Sequence, residues 1–181
     1  MKSVLETPSK RRRAEFLAAV ARSRDLHGHW ASPPKTTKAF AANLKRFSSP
    51  NHMGYWVVTE TGGLAGVINI NEIVRGSFRS GYLGYYALVP HNGHGYMTAG
   101  LRAVLFSAFR KLGLHRLEAN IQPDNDRSRR LVQRLGFRLE GFSPLYLKIA
   151  GKWRDHERWA LTVEDWKARL VSANKHGKRE S

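Results

Sequence analysis

No cysteine occurs among the 181 residues. That absence excludes disulfides, a thiolate nucleophile and any cysteine-based metal centre, and it fits a reducing cytoplasm. The eight histidines show no HExxH or comparable ligand spacing, so no metal is expected. No stretch approaches the ~20 apolar residues that cross a bilayer. Lys10-Arg11-Arg12-Arg13 ahead of residues 14–21 has the outline of a secretory leader. Glu15 interrupts that apolar run, however, Arg22, Arg24 and Asp25 follow at once, and no processing site is evident. The expectation is a cytoplasmic chain without membrane contact.

Acidic residues are also scarce. Fourteen Asp and Glu stand against 31 Lys and Arg, a net charge of +17. So few carboxylates argue against a deep acidic pocket for a polyamine or antibiotic. The basic residues cluster at 10–13, 35–46, 127–134 and 175–179. Any one cluster could be a solvated face, but the total implies attraction to polyanions: RNA, ribosomes or the phosphates of a cofactor. A basic chain repels basic substrates at long range unless RNA lies beside them, so the charge points to docking on a nucleoprotein. Internal repeats and linker-like composition are absent. The expected organisation is a single domain over 1–170, with a basic, disordered tail over 171–181.

Several elements are legible in what is present. Ser9 is placed to cap a helix reaching Ser23, with Phe16, Leu17 and Val20 on one face. Pro33-Pro34 breaks the chain. Thr36 or Thr37 can cap a second helix that turns Phe40, Leu44 and Phe47 inward. Strands over 53–59 and 64–71 flank Thr61-Gly62-Gly63, a hairpin signal. Residues 74–80 form a connection. Two more strands, over 137–149 and 153–161, meet at Ala150-Gly151, and a short helix starts near Val163. Trp30, Tyr55, Trp56, Trp153 and Trp159 read as core or rim residues. This order gives one mixed α+β domain.

The most informative stretch is 81–137. An apolar strand over 81–89 runs into Asn92-Gly93-His94-Gly95, and a helix of about fifteen residues follows. Leu101, Val104, Leu105, Ala108 and Leu112 mark its apolar face, and Gly113 stands where a C-terminal cap belongs. After a strand over 116–121, Asn125-Asp126-Arg127-Ser128 opens a short helix that stops at Gly136-Phe137. Glycines at 93 and 95 permit unusual φ angles and close approach of a ligand to backbone N–H groups. The helix behind them adds unpaired donors and a positive dipole end. The turn therefore reads either as a phosphate cradle or as a plain tight βα turn. It lacks the third glycine of a dinucleotide fingerprint and the Lys-Ser/Thr of a P-loop.

The order and the residues together resemble the GNAT acetyltransferase superfamily over nearly the whole chain. Within it they are most similar to the ribosomal-protein-alanine N-acetyltransferase (RimJ-type) branch. The residues that carry the resemblance are Val74-Arg75-Gly76-Ser77-Phe78, Tyr82-Leu83-Gly84-Tyr85, Gly93-His94-Gly95-Tyr96-Met97, His115-Arg116-Leu117-Glu118-Ala119-Asn120, Asn125 with Ser128, Leu135-Gly136-Phe137, Glu140-Gly141 and Gly151-Lys152-Trp153-Arg154-Asp155-His156. The family pattern at the turn is Arg/Gln-x-x-Gly-x-Gly/Ala. Asn92 departs from it by losing a cationic or long amide side chain beside the phosphates.

The resemblance implies a mixed, mostly antiparallel sheet flanked by helices, acetyl-CoA as acetyl donor, and direct attack by an amine. By resemblance, Leu88 and Val89 offer backbone groups to the pantetheine arm, with the Val89 N–H as oxyanion donor. Gly93, His94, Gly95, Tyr96, Met97 and Thr98 hold the pyrophosphate. Asn125 binds the pantetheine amide, and Ser128 donates to the departing sulfur. Both of these residues also suit helix capping.

The general base is open between Glu118, which reads equally as the partner of an arginine, and the alternatives Glu72 and Asp155. Other branches place a glutamate where this chain has Leu147 and a tyrosine where it has Val132. Arg75, Ser77, Phe78 and Asp155 are expected at the acceptor mouth. The implied acceptor is the N-terminal α-amine of a protein, a ribosomal protein in particular. Two readings compete with it: acetylation of a small amine, and a non-catalytic RNA- or ribosome-binding protein.

Overall fold

The structure, a computed structural model, describes residues 3–177. It is built on one seven-stranded sheet of order β1-β2-β3-β4-β5-β7-β6. The strands are β1 (Ser3–Glu6), β2 (Met53–Thr59), β3 (Leu64–Val74), β4 (Ser80–Ala87), β5 (Arg116–Ile121), β6 (Arg138–Ile149) and β7 (Lys152–Thr162). The helices are α1 (Arg13–Arg22), α2 (Arg24–His27), α3 (Thr37–Arg46), α4 (Tyr96–Phe106), α5 (Asp126–Leu135) and α6 (Val163–Gly177). β4 and β5 are parallel, and every other neighbouring pair is antiparallel.

Local chemistry accounts for most of the boundaries. Thr36 caps α3, its hydroxyl accepting from the Ala39 N–H at 3.2 Å. Ser9 precedes a single 3₁₀ turn, Lys10–Arg12, and makes no side-chain cap bond. Arg12 holds that turn instead, with ion pairs to Glu6 and Glu15 at 2.8 and 2.6 Å. Gly136 ends α5 in the left-handed conformation, as a C-terminal glycine should. α4 runs on into a π-helical turn over Ser107–Lys111, which brings Phe109 into the core against Trp166.

Several expectations need correction. Nothing in the pattern of residues 3–6 announces β1; four residues are too few for a period, and the strand exists through its pairing with β2. β3 extends to Val74 through an irregularity after Asn71. β4 ends at Ala87. α6 continues to Gly177, so residues 171–177 of the expected tail are helical. The rest of that tail, 178–181, lies outside the described residues. Trp56 and Trp159 are buried, while Trp153 is exposed. Among the described residues no helix is long and apolar enough to cross a membrane.

Strand alternation sorts the core into two layers. Val57, Ile68, Ile70, Leu83, Leu117, Ala119 and Ile121 face α4, α5 and α6 and pack with Leu101, Val104, Val132 and Trp166. Trp56, Val58 and Val67 face the other way, onto Phe16 and Val20 of α1 and Phe40 of α3. The sheet thus has an α4/α5 face and an α1/α3 face. Close approach needs small residues: a Cβ on Gly100 of α4 would lie 2.6 Å from Val57.

β4 and β5 pair only from Ser80–Arg116 to Leu83–Ala119. β4 then continues along β3 as far as Ala87, and β5 continues along β7 as far as Ile121. The two strands part, and the sheet opens.

Candidate functional site

A cavity of about 1100 Å³ occupies this opening. Tyr82 to Ala87 of β4 and Asn120 to Gln122 line its two edges. Asp25 and His27 of α2, Arg46 of α3 and Asn69 of β3 line it on the α1/α3 face. Asn125, Ser128 and Leu131 line it on the α4/α5 face. The cavity therefore passes through the sheet from one face to the other.

The glycine turn lies at the α4/α5 side. Gly93 and Gly95 have φ of 83° and 79°, where an L side chain is strained, and nothing stands within 4 Å of where their Cβ atoms would be. The first backbone bond of α4 runs from Ala99 N–H to Gly95 O at 3.1 Å. The amides of Tyr96, Met97 and Thr98 precede it and have no intrahelical acceptor. His94 is exposed, its Nδ1 2.9 Å from the Asn92 carbonyl. Met97 lines the cavity and lies tight against β3, its sulfur 2.2 Å from where a Gly66 Cβ would sit.

Asn125 and Ser128 are brought together at the start of α5. Asn125 caps the helix, its Oδ1 accepting from the Ser128 N–H at 3.2 Å. That leaves the Asn125 amide nitrogen and the Ser128 hydroxyl on the cavity. The Ser128 hydroxyl is hydrogen-bonded to the Tyr85 hydroxyl. Burial pushes the Tyr85 phenol well above its ordinary range, so it stays protonated at neutral pH. Arg129, one residue on, ties α5 to β7 through Glu157 at 3.0 Å. The same carboxylate accepts from the Trp159 indole N–H at 2.9 Å.

Backbone parity decides which β4 groups face the opening. Leu88 N–H donates across to Ala65 O at 2.9 Å, so the amides of Leu88, Tyr86 and Gly84 face β3. Tyr85 and Ala87 face the side that β5 has left. Leu88 is thus not available as expected: its amide is used, its carbonyl accepts from His91 N–H at 3.0 Å, and its side chain is buried. The Val89 N–H, expected as the oxyanion donor, donates to the buried Ser23 hydroxyl at 2.9 Å. Ser23 in turn donates to the Ala19 carbonyl at 2.7 Å. The end of α1 therefore covers the chain just beyond β4. His27 of α2 does the same at Ala87, donating from Nε2 to the carbonyl at 2.8 Å. Burial lowers the pKa of His27, which favours the neutral ring.

Among the candidate acids, Glu118 accepts from Arg116 Nε at 2.8 Å and does not line the cavity. Arg116 also pairs with Glu140, which draws the carboxyl of Glu140 below its ordinary range. The geometry favours the arginine-partner reading of Glu118. Glu72 lies on the cavity rim with φ 49°, 3.9 Å from His52 Nε2. Asp155 accepts from the Leu145 N–H at 2.8 Å and braces β6 outside the cavity. Arg75, Ser77 and Phe78 sit in the exposed β3–β4 loop, also outside it; Arg75 donates to the Pro50 carbonyl at 3.3 Å. Val132 is buried in the core, whereas Leu147 lines the cavity.

Tyr85, His27, Asn69 and Asn120 are missed as site residues by reading the sequence. Each belongs to a strand or helix with an adequate structural explanation of its own. The only signal of Tyr85, Asn69 and Asn120 is a polar residue at an alternate strand position, which also describes a solvated face, and His27 on its short helix has none. Among the described residues no group of three His, Cys, Asp or Glu side chains gathers as a metal site would require.

Comparison with known proteins agrees with this geometry. The Acetyltransferase (GNAT) domain family matches residues 4–138. The [Ribosomal protein uS5]-alanine N-acetyltransferase of Escherichia coli K12 is 45% identical over 103 residues, 57% of this chain and 53% of that protein. The chain thus spans about half the length of that relative, as it does of the same-named protein of Shigella flexneri. Mycobacterium smegmatis RimJ in complex with CoA-disulfide superposes with a TM-score of 0.84 at 25% identity, covering 95% of this chain and 89% of that one. The spermidine N-acetyltransferase of Vibrio cholerae, in complex with CoA and spermine, superposes at 0.76 and 19% identity over 91% and 97%, a likeness of fold. With the domain matched over most of its length and the parted strands in place, this chain belongs to the GNAT acetyltransferase family.

Proposed function

We propose that this protein is an acetyl-CoA-dependent N-acetyltransferase acting on the N-terminal α-amine of a protein, a ribosomal protein foremost. The observation that carries the reading is the cavity through the sheet, which lets a donor on the α4/α5 face meet an acceptor on the α1/α3 face. The acceptor class is that of the Escherichia coli relative, an N-acetyltransferase named for the alanine of ribosomal protein uS5.

The α4/α5 side fits the donor. Left-handed glycines with open space above them, free amides at the start of α4 and an unpaired β4 edge match a pyrophosphate followed by an extended pantetheine arm. When bound, acetyl-CoA supplies an acetyl group activated as a thioester. Gly93, His94, Gly95, Tyr96, Met97 and Thr98 would hold the pyrophosphate through backbone N–H groups. The backbone of Tyr85 and the Ala87 N–H would pair with the arm from the β4 edge, and the Asn125 amide would hold its far amide group. Ser128, hydrogen-bonded to the protonated Tyr85, is placed to donate a proton to a sulfur leaving on this face. The Val89 N–H can serve as oxyanion donor once Ser23 releases it.

No free carboxylate is required deep in the cavity for this acceptor. An α-amine has a pKa of about 7.7–8.0, so roughly a quarter is neutral near pH 7.4; a lysine amine near 10.4 is neutral only about one part in a thousand. Glu118, held by Arg116, then acts as a brace, and Arg75, Ser77 and Phe78 are left to meet the body of a protein acceptor. Arg46 offsets one of the two carboxylates, Asp25 and Glu72, on the acceptor wall, which weakens its pull on a polyamine. The basic surface would bring the enzyme to a nucleoprotein such as the ribosome.

The test is thiol release from acetyl-CoA with N-terminal ribosomal peptides, lysine peptides and small amines, each product read by intact mass. A single acetyl on the α-amine of particular peptides is expected. Products confined to lysine side chains or small amines would overturn the reading.

A further inference from the structure

The α1/α3 face of the opening carries two unmet hydrogen-bond acceptors. The Oδ1 atoms of Asn69 on β3 and Asn120 on β5 are buried and have no partner. Both residues line the cavity. Asn69 stands opposite Gly84. Asn120 follows Ala119, the last residue paired with β4, and so falls level with Gly84 where the strands begin to part. Strand parity turns all three toward the α1/α3 face. Gly84 between them has no side chain, which leaves a gap in the cavity wall, and the Asn71 side-chain amide nitrogen stands 3.2 Å from where a Gly84 Cβ would be.

A buried acceptor left unpaired is costly, and two of them on one cavity call for a ligand with more than one N–H. We propose that Asn69 and Asn120 are the positioning residues for the acceptor, receiving two N–H groups of its primary amine over Gly84. This rests on the acetyltransferase reading above. The choice of amide over carboxylate has a chemical consequence. A carboxylate would stabilise the ammonium form and raise the amine's pKa, whereas neutral amide oxygens orient the amine with less bias toward protonation. That suits an acceptor that must arrive neutral, and it selects primary amines by number of donors rather than by charge.

The test uses the full chain with N69L, N120L and N120D. An alanine-first peptide is the acceptor, and its N-acetylated form is the control. Each leucine variant is expected to raise the peptide KM about tenfold, the worth of one ordinary hydrogen bond, with the KM for acetyl-CoA unchanged. Both should also melt no lower than wild type, because an unmet polar atom has been removed. N120D keeps acceptor oxygens and should hold the KM within about threefold while moving the pH–rate profile to higher pH. Unchanged peptide KM in both leucine variants overturns the assignment. So does a loss confined to acetyl-CoA, or a loss in N120D as large as in N120L, which would show that the amide N–H is the group in use. If wild type binds acetyl-CoA but acetylates no peptide, the α-amine reading falls. The notch is then judged by calorimetric binding of spermidine to the CoA-saturated protein: weaker binding in N69L and N120L sustains it, while equal binding, or none to wild type, overturns it.

Discussion

The two sides of the opened sheet are made differently. On the α4/α5 side, the groups proposed to hold the donor come in short runs: Gly93 to Thr98 in one turn, Asn125 to Ser128 in another. Left-handed glycines and helix starts produce their arrangement locally. On the α1/α3 side, Asp25, Arg46, Asn69, Gly84 and Asn120 come from five separate elements and meet only when the sheet and helices are assembled. The proposed donor side draws mostly on backbone amides, joined by the side chains of Asn125 and Ser128. The acceptor side is side-chain chemistry, and there one substitution can change the substrate without touching the donor.

The largest expected effect that separates the two sides is at Ser128. Ser128→Ala should lower kcat about 100-fold, within the usual range for a lost proton donor, and leave the peptide KM unchanged. Stopped assays of thiol release would check this, and an equal rise in peptide KM would move Ser128 to the acceptor side. Gly95→Val comes next. It forces a β-branched residue to φ 79° and fills the space above the free amides. Acetyl-CoA affinity should fall at least about tenfold, a loss of ~1.4 kcal/mol by calorimetry, with the fold retained.

Arg129→Met tests whether the donor side depends on its anchorage to β7. It leaves the half-buried Glu157 without its guanidinium partner and should destabilise the protein by about 1–3 kcal/mol in denaturant unfolding. Ser23→Ala is the sharper probe of the boundary between the sides. It should destabilise by about 1 kcal/mol and raise turnover modestly by freeing the Val89 amide. A variant that is less stable and no faster would remove Val89 from the oxyanion role.

The smallest effect concerns pH. Burial holds His27 and His156 below the ordinary histidine range, so the unfolded chain takes up their protons first as pH falls. Their contribution to stability is present above about pH 6.5 and is lost as pH drops toward the folded values. Glu15, Glu140 and Asp165, held below the carboxylate range by Arg12, Arg116 and Thr162 respectively, extend the loss at lower pH. The Tm should fall between pH 7 and pH 5.5, and His27→Gln should flatten part of that slope.

Legibility followed the same division as the two sides. The βα turn at 93–95, the Asn125 cap and the paired strands of the hairpins are written in residues a few positions apart, so their types and spacing suffice. Ser9 failed as a cap because Arg12 tied the turn through Glu6 and Glu15, a pairing between side chains whose meeting no local rule predicts. β1 went unseen because four residues carry no period. In the sequence Glu118 reads equally as base or as ion-pair partner, and only the tertiary structure sets it on Arg116, which also holds Glu140. Tyr85 looked like one more strand tyrosine until its hydroxyl met Ser128, 43 positions away.

Composition and local pattern thus determined the mixed α+β order, the basic surface, the glycine turn and the helix start that follows it, because backbone preferences and capping act over a few residues. Tertiary structure alone decided where β4 and β5 part, that Ser23 takes the Val89 N–H and His27 the Ala87 carbonyl, and that two unpartnered asparagine side chains line one cavity. Those are relations between strands and helices brought together by packing, and no single segment of the chain contains them.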